Sequence, residues 1–233
     1  MQNQVRHLGV IMDGNRRWAK QHMLRSAMKG HEKGIDMFID CCKWCQEAGI
    51  PYLTVYAFST ENWNRTQEEV SGLFRLMKKF FTDKVDVCLE RDIRMVIIGD
   101  RSRLDEEARE TIRRTEEATG HCRSLTVQVA ISYGGRDEIV RAAEKYAEDV
   151  RNGTEEPGKL TEEKFSEYLD TAGVPDIDMV IRTGGNRRLS NFFPWQTTYS
   201  EIWFTDTLWP DFSQEEFQKA IDYYAQIQIN KGK

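Results

Sequence analysis

Short β-branched and apolar runs alternate with longer amphipathic stretches along most of this 233-residue chain, and that alternation limits what it can fold into. The runs predict strands over Leu8 to Met12, Tyr52 to Phe58, Ile93 to Ile98, Leu125 to Ser132, Met179 to Arg182 and Glu201 to Phe204. Between them, apolar spacing of three and four predicts helices over Gly30 to Glu47, Gln67 to Arg91, Leu104 to Ala118, Arg136 to Val150, Thr161 to Leu169 and Gln214 to Ile227. This βαβα order implies an α/β fold with a mostly parallel six-stranded sheet flanked by helices. Nothing resembles an interdomain linker, and Asn152 to Lys159, with two glycines and a proline, reads as a surface loop. One domain over residues 1–233 is therefore expected.

Ligands of open α/β sheets bind beyond the carboxyl ends of the strands. The unusual polar residues fall there: Asp13-Gly14-Asn15-Arg16-Arg17 after the first predicted strand, Ser59-Thr60-Glu61-Asn62-Trp63-Asn64-Arg65 after the second, and Gly99-Asp100-Arg101 after the third. Tyr133-Gly134-Gly135-Arg136 follows the fourth strand, and the segment from Arg182 through Arg187, Arg188 and Leu189 to Ser190 follows the fifth. If the strands are parallel, these clusters share one rim and describe a polyanion site, large enough for two diphosphates.

The first cluster is the most telling. A buried strand runs into a turn bearing one carboxylate, two guanidiniums and Trp18, and a helix then begins. Free N–H groups at a helix start, together with arginines, suit a phosphate or diphosphate. One aspartate can hold Mg²⁺ if phosphate oxygens and water complete the octahedron. The same residues also fit a plain surface turn whose aspartate caps a helix.

Composition excludes several classes. A net charge of −5 argues against nucleic acid as the main partner, so the arginine clusters serve small anions. No charged-then-apolar leader opens the chain, and no apolar stretch approaches the roughly 20 residues of a membrane span, so a soluble cytoplasmic protein is expected. Cys41, Cys42 and Cys45 fall beside the apolar stripe of Ile35, Phe38 and Ile39, which favours packing over metal or redox chemistry. There is no GxxxxGK[ST] loop, GxGxxG turn, Asp-Asp pair or serine nucleophile elbow. Positioning and electrostatics remain as the means of catalysis.

The segments His7 to Ala19, Phe58 to Trp63, Ile131 to Asp137, Ile181 to Gly185, Arg188 to Phe192 and Tyr199 to Glu201 resemble, in order, cis-prenyltransferases of the undecaprenyl diphosphate synthase type. The resemblance runs from about residue 5 to Phe212. It implies repeated addition of isopentenyl diphosphate to an allylic diphosphate such as farnesyl diphosphate, each new double bond cis. The product would be a medium- or long-chain lipid carrier for cell-wall synthesis. By this resemblance Asp13 anchors Mg²⁺ with help from Glu201. Gly14, Asn15, Arg16, Arg17, Arg25 and His31 hold the allylic diphosphate, with Trp18 beside them. Arg182, Arg188 and Ser190, with Leu189 between them, grip isopentenyl diphosphate. Asn62 is a proton acceptor or relay, and Ser59, Thr60, Glu61, Trp63 and Arg65 line the site. A homodimer using the Trp195 to Pro210 region and a transient membrane-surface contact for product release are implied as well.

The helix from Gln67 carries Val70, Leu73, Phe74, Met77, Phe80, Phe81 and Val85 on one face, an apolar stripe that serves as core and, under the resemblance, as the wall of a hydrophobic tunnel between sheet and helices. Ala57 is small, which favours a longer product. Three features depart from the family pattern: Arg16 where glycine is common, Asn186 where glutamate is usual, and two extra residues between Arg25 and His31. A short-chain member, one coupling isoprene units irregularly, and a non-catalytic accessory subunit are the alternatives; the intact Asp13 motif speaks against the last.

Overall fold

The computed structural model describes residues 3–228. Strands β1 (His7–Ile11), β2 (Tyr52–Ser59), β3 (Ile93–Ile98), β4 (Leu125–Tyr133), β5 (Met179–Arg182) and β6 (Glu201–Phe204) form one sheet in the order β3-β4-β2-β1-β5-β6. Every pairing is parallel. The reason is legible in the strands: β1 and β5 are buried along their whole length, as strands covered on both faces must be.

Eight α-helices are described: α1 (Asn15–Gln21), α2 (Met28–Glu47), α3 (Gln67–Asp83), α4 (Val85–Glu90), α5 (Glu106–Thr119), α6 (Gly135–Arg151), α7 (Glu162–Ser166) and α8 (Gln214–Gln226). Side-chain oxygens of Thr66, Asp105, Thr161 and Ser213 cap α3, α5, α7 and α8. The continuous helix expected from Gln67 to Arg91 instead breaks at Lys84, which ends α3 and begins α4 at φ −111°. No glycine or proline announces that break.

Alternate strand residues feed two apolar clusters. Val10, Val55, Val129 and Ile181 join Phe38, Leu73, Phe81 and Phe217 of α2, α3 and α8, whereas Ile11, Ala130 and Val180 join Phe192 and Phe193 on the opposite face. All five cysteines are buried and free, and burial pushes the Cys42 and Cys45 thiols up, so they act as small hydrophobes. Trp44 and Trp209 are core; Trp195 and Trp203 are half-buried.

β1 sits at the centre of the sheet, with β2 on one side and β5 on the other. The chain leaves β1 toward β2 and leaves β5 toward β6, in the opposite direction. Loops that diverge from neighbouring parallel strands open a crevice at their carboxyl ends.

Candidate active site

Asp13 stands two residues beyond β1, at the centre of that crevice. Its Oδ1 accepts from Arg17 Nη2 at 3.1 Å, and its Oδ2 accepts from Arg182 Nη2 at 3.0 Å and Asn186 Nδ2 at 2.8 Å. Burial alone would raise the Asp13 carboxyl, but these donors and the two guanidinium charges outweigh it and hold the group below the ordinary carboxylate range. The turn around it is built tightly. Gly14 has φ 120°, and a Cβ there would lie 2.9 Å from the Leu208 backbone. The carbonyl of Asp13 accepts from Thr183 Oγ1 at 2.7 Å and Trp209 N at 3.0 Å.

α1 begins at Asn15 and packs on α2 through two glycines. A Cβ on Gly30 would overlap the Asn15 carbonyl oxygen, and one on Gly34 would overlap Asn15 Oδ1. This close approach brings Asn15 and His31 to the wall of the cleft. Asn15 Oδ1 and His31 Nε2 are both buried without a hydrogen-bond partner, as is Arg182 Nε. Buried polar atoms are rarely left unpaired, and these three belong to residues that line the two clefts meeting at Asp13. Burial, then the charges of Arg65 and Arg16, press the His31 pKa down to about 4 against the pull of Glu69.

The loop after β5 presents the other set. Arg182, 4% exposed, donates to Ser190 Oγ at 2.8 Å and to the Arg188 carbonyl. Gly184 and Gly185 take φ 80° and 76°, and Ser190, Asn191 and Phe193 follow at 52°, 64° and 45°. Three non-glycine residues in the left-handed region signal backbone strain held in place by the surrounding packing.

Three cavities meet at Arg65, and the two polar ones also share Asp13. One polar cleft is lined by Asp13, Gly14, Asn15, Arg16, Arg17 and His31. A second is lined by Asp13, Ser59, Glu61, Asn62, Arg182, Arg188 and Ser190. Arg65 borders both, anchored at 2.8 Å on Glu69. Between α2, α3 and the sheet lies an apolar cavity of about 180 Å³, walled by Phe38, Ala57, Leu73, Met77, Phe80 and Phe81 and meeting the polar clefts at Asn15, His31, Asn62 and Arg65.

Several expected residues lie elsewhere. Trp63 turns away: it packs on Phe58 and Phe74, donates from Nε1 to Ser132 Oγ at 3.0 Å and lines an outer groove under Arg103. Trp18 donates to Asp211 at 2.6 Å and stacks on His22, borne by the helix face opposite the clefts. Arg25 is exposed in the α1–α2 connection, outside the three cavities, and Leu189 packs into the second apolar cluster. Thr60 sits beside the second cleft, donating to Glu61 at 3.2 Å, and Glu61 in turn accepts from Asn191 at 3.1 Å. Arg101, on the same rim, is spent on Glu116 and the Ile97 carbonyl.

Glu201 opens β6 in register with Met179, whereas Arg182, beside Asp13, is in register with Phe204, so Glu201 stands three residues back along the sheet from the cleft. Asn62 lines the second cleft, where its Oδ1 accepts from the Ser59 N–H at 3.1 Å in a capping box and its amide group is left to donate. Asn186, marked in the sequence only as a departure from the family pattern and not expected at the site, reaches Asp13.

Residues 11–232 match the family model described as "Putative undecaprenyl diphosphate synthase". The chain is 44% identical over 227 residues to an isoprenyl transferase of Aquifex aeolicus, covering 97% of this chain and 95% of that one. It is 44% identical over 222 residues to an isoprenyl transferase of Streptococcus mutans, covering 94% and 89%. Its fold matches a lavandulyl diphosphate synthase from Lavandula x intermedia, solved with dimethylallyl diphosphate, with a TM-score of 0.94 at 33% identity over 99% of both chains. A probable undecaprenyl diphosphate synthase from Campylobacter jejuni matches with a TM-score of 0.83 at 36% identity, over 99% of this chain and 100% of that one. The chain is a prenyl transferase and belongs to the cis-prenyltransferase family of undecaprenyl diphosphate synthases.

Proposed function

We propose that this chain condenses isopentenyl diphosphate with an allylic diphosphate such as farnesyl diphosphate, giving a cis-polyprenyl diphosphate. The observation that carries the proposal is the pair of polar clefts meeting at Asp13 and Arg65, with an apolar cavity opening between them. Two diphosphates bound there would put the two hydrocarbon groups against each other.

The cleft of Asn15, Arg16, Arg17 and His31 suits the allylic diphosphate, since its cations and unpartnered groups face the same space. The cleft of Arg182, Arg188 and Ser190 suits isopentenyl diphosphate, with Asn62 donating to an oxygen of either. The allylic C1–O bond breaks, the diphosphate leaving with its electron pair. C4 of isopentenyl diphosphate then bonds to C1, and C2 loses a proton. An amide is a weak base, so the departing diphosphate takes the proton, directly or relayed by Asn62. The apolar walls exclude water from the allylic cation, and Arg16, Arg17 and Arg65 stabilise the charge that gathers on the leaving group.

Asp13 fits Mg²⁺ as one ligand among several. Among the described residues no cluster of three or more histidine, cysteine or acidic side chains could hold a metal. Asp13 would therefore bind the ion together with diphosphate oxygens and water, and when bound the ion neutralises charge on the leaving group.

The apolar cavity would receive the growing chain as a tunnel, and the lipid product implies contact with a membrane surface. Purified protein incubated with Mg²⁺, farnesyl diphosphate and radiolabelled isopentenyl diphosphate should yield extractable prenyl products whose mass gives chain length. No product, where an active relative yields one, refutes the proposal. Because the fold matches a lavandulyl diphosphate synthase so well, dimethylallyl diphosphate alone is the control. Product from that substrate alone would assign irregular coupling instead.

A further inference from the structure

The connection between α1 and α2 differs from the rest of the surface. Lys20 and Ala27 line the first polar cleft, and the six residues between them are all exposed. α1 ends in a Schellman turn, in which Met23 N donates to the Lys20 carbonyl at 3.1 Å and Leu24 N to the Ala19 carbonyl at 3.0 Å. Met23 takes φ 52°, the position such a turn usually gives to glycine. A large apolar side chain stands there instead, 91% exposed, with Leu24 at 39% beside it.

Cations flank this tip in the chain: Lys20, Arg25, Lys29 and Lys33 are exposed, Arg16 and Arg17 at the far end of α1 pair with Glu69 and Asp13, and the one carboxylate between residues 16 and 33, Glu32, is tied to Lys29 at 2.6 Å. In a chain of net charge −5 this is a basic island. An apolar tip flanked by exposed cations is the pattern an anionic lipid surface attracts: cations meet headgroups while the tip enters the acyl boundary.

We infer that residues 21–26 dock the protein on an anionic bilayer through Met23 and Leu24, holding the mouth of the first polar cleft at the membrane surface. The purpose of this docking rests on the reaction proposed above, since a lipid diphosphate leaving that cleft would meet the bilayer at once; the docking itself does not depend on it. A strained, solvated methionine where glycine is easier is explained by a surface that takes it up.

Sedimentation with vesicles tests this, using phosphatidylcholine alone and phosphatidylcholine mixed with phosphatidylglycerol, at low and high salt. The intact protein should pellet with the mixed vesicles, less so at high salt, and stay in solution with the neutral ones. Met23→Gly with Leu24→Ser relieves the turn and removes the tip. Binding to mixed vesicles should fall about tenfold or more, while melting temperature and turnover in detergent hold. Equal pelleting of variant and parent, or no preference for anionic vesicles, overturns the inference. Docking by a protein that makes no prenyl product would uphold it while refuting the proposed reaction.

Discussion

Arg182 and Asp13 are 169 positions apart in sequence, yet the guanidinium donates to the carboxylate at 3.0 Å because their strands are neighbours. The arginine side chain is 5% exposed and the aspartate 28%, so the nearly buried guanidinium leans on Asp13 for its counter-charge, while Asp13 shares its own between Arg182 and Arg17.

Removing that carboxylate has two separable effects. Asp13→Ala leaves a nearly buried guanidinium short of its partner and should cost about 1–3 kcal/mol in urea unfolding. Asp13→Asn keeps an oxygen acceptor and should lose less stability. Both should lower kcat/KM by about 10³-fold, since charge at the reacting centre is lost in each.

Asn186→Asp puts a second carboxylate where an amide now donates to Asp13 at 2.8 Å. Calorimetric titration with Mn²⁺, without any diphosphate, should show binding at least about tenfold tighter than in the parent, because carboxylate oxygens suit such ions. Unchanged Mn²⁺ affinity would mean that Asn186 does not govern the carboxylate's surroundings.

Gly30→Ala drives a methyl group into the Asn15 carbonyl. α1 must shift, so the melting transition should drop by about 1–3 kcal/mol equivalent. KM for the allylic substrate should rise about tenfold or more as Asn15 and Arg16 move with the helix.

Stability should fall on mild acidification. Burial holds His7 and His31 at about 4, and the unfolded chain binds their protons near 6.5. Their contribution is whole above 6.5 and declines as pH falls toward 4, by up to about 1.4 kcal/mol per pH unit for each histidine. Glu138, raised by burial, has the opposite sign and moderates the slope. Urea midpoints between pH 7 and 5 measure it, and His31→Gln should remove one histidine's share.

Much of the architecture was legible because it depends on local pattern. β3, β5 and β6 begin and end where their apolar runs do, and the parallel sheet gathers the clusters of Asp13, Asn62 and Arg182 on one rim. The short helix from Asn15 was foreseen only as a helix following the turn. What sequence does not carry is register and side-chain direction. Glu201 stands near Ser190 in the chain, but a strand start and a strand end point to opposite edges of the sheet. Trp63 lies beside Asn62, yet one lines the cleft and the other packs behind it, a choice made by Phe58, Phe74 and Ser132. Arg25 kept its charge but not its expected place, because the turn at Met23 carries it outward.

The loops that bear Asp13 and Arg182 hang from two adjoining strands in the middle of the sheet. Such a scaffold cannot widen or narrow the gap between two headgroups without breaking its own ladder. On the proposed reaction every round of synthesis would therefore start from the same origin, and only the far end of the molecule would advance. Length would then be measured like tape drawn from a fixed reel, and evolution could change the yardstick by altering the walls alone.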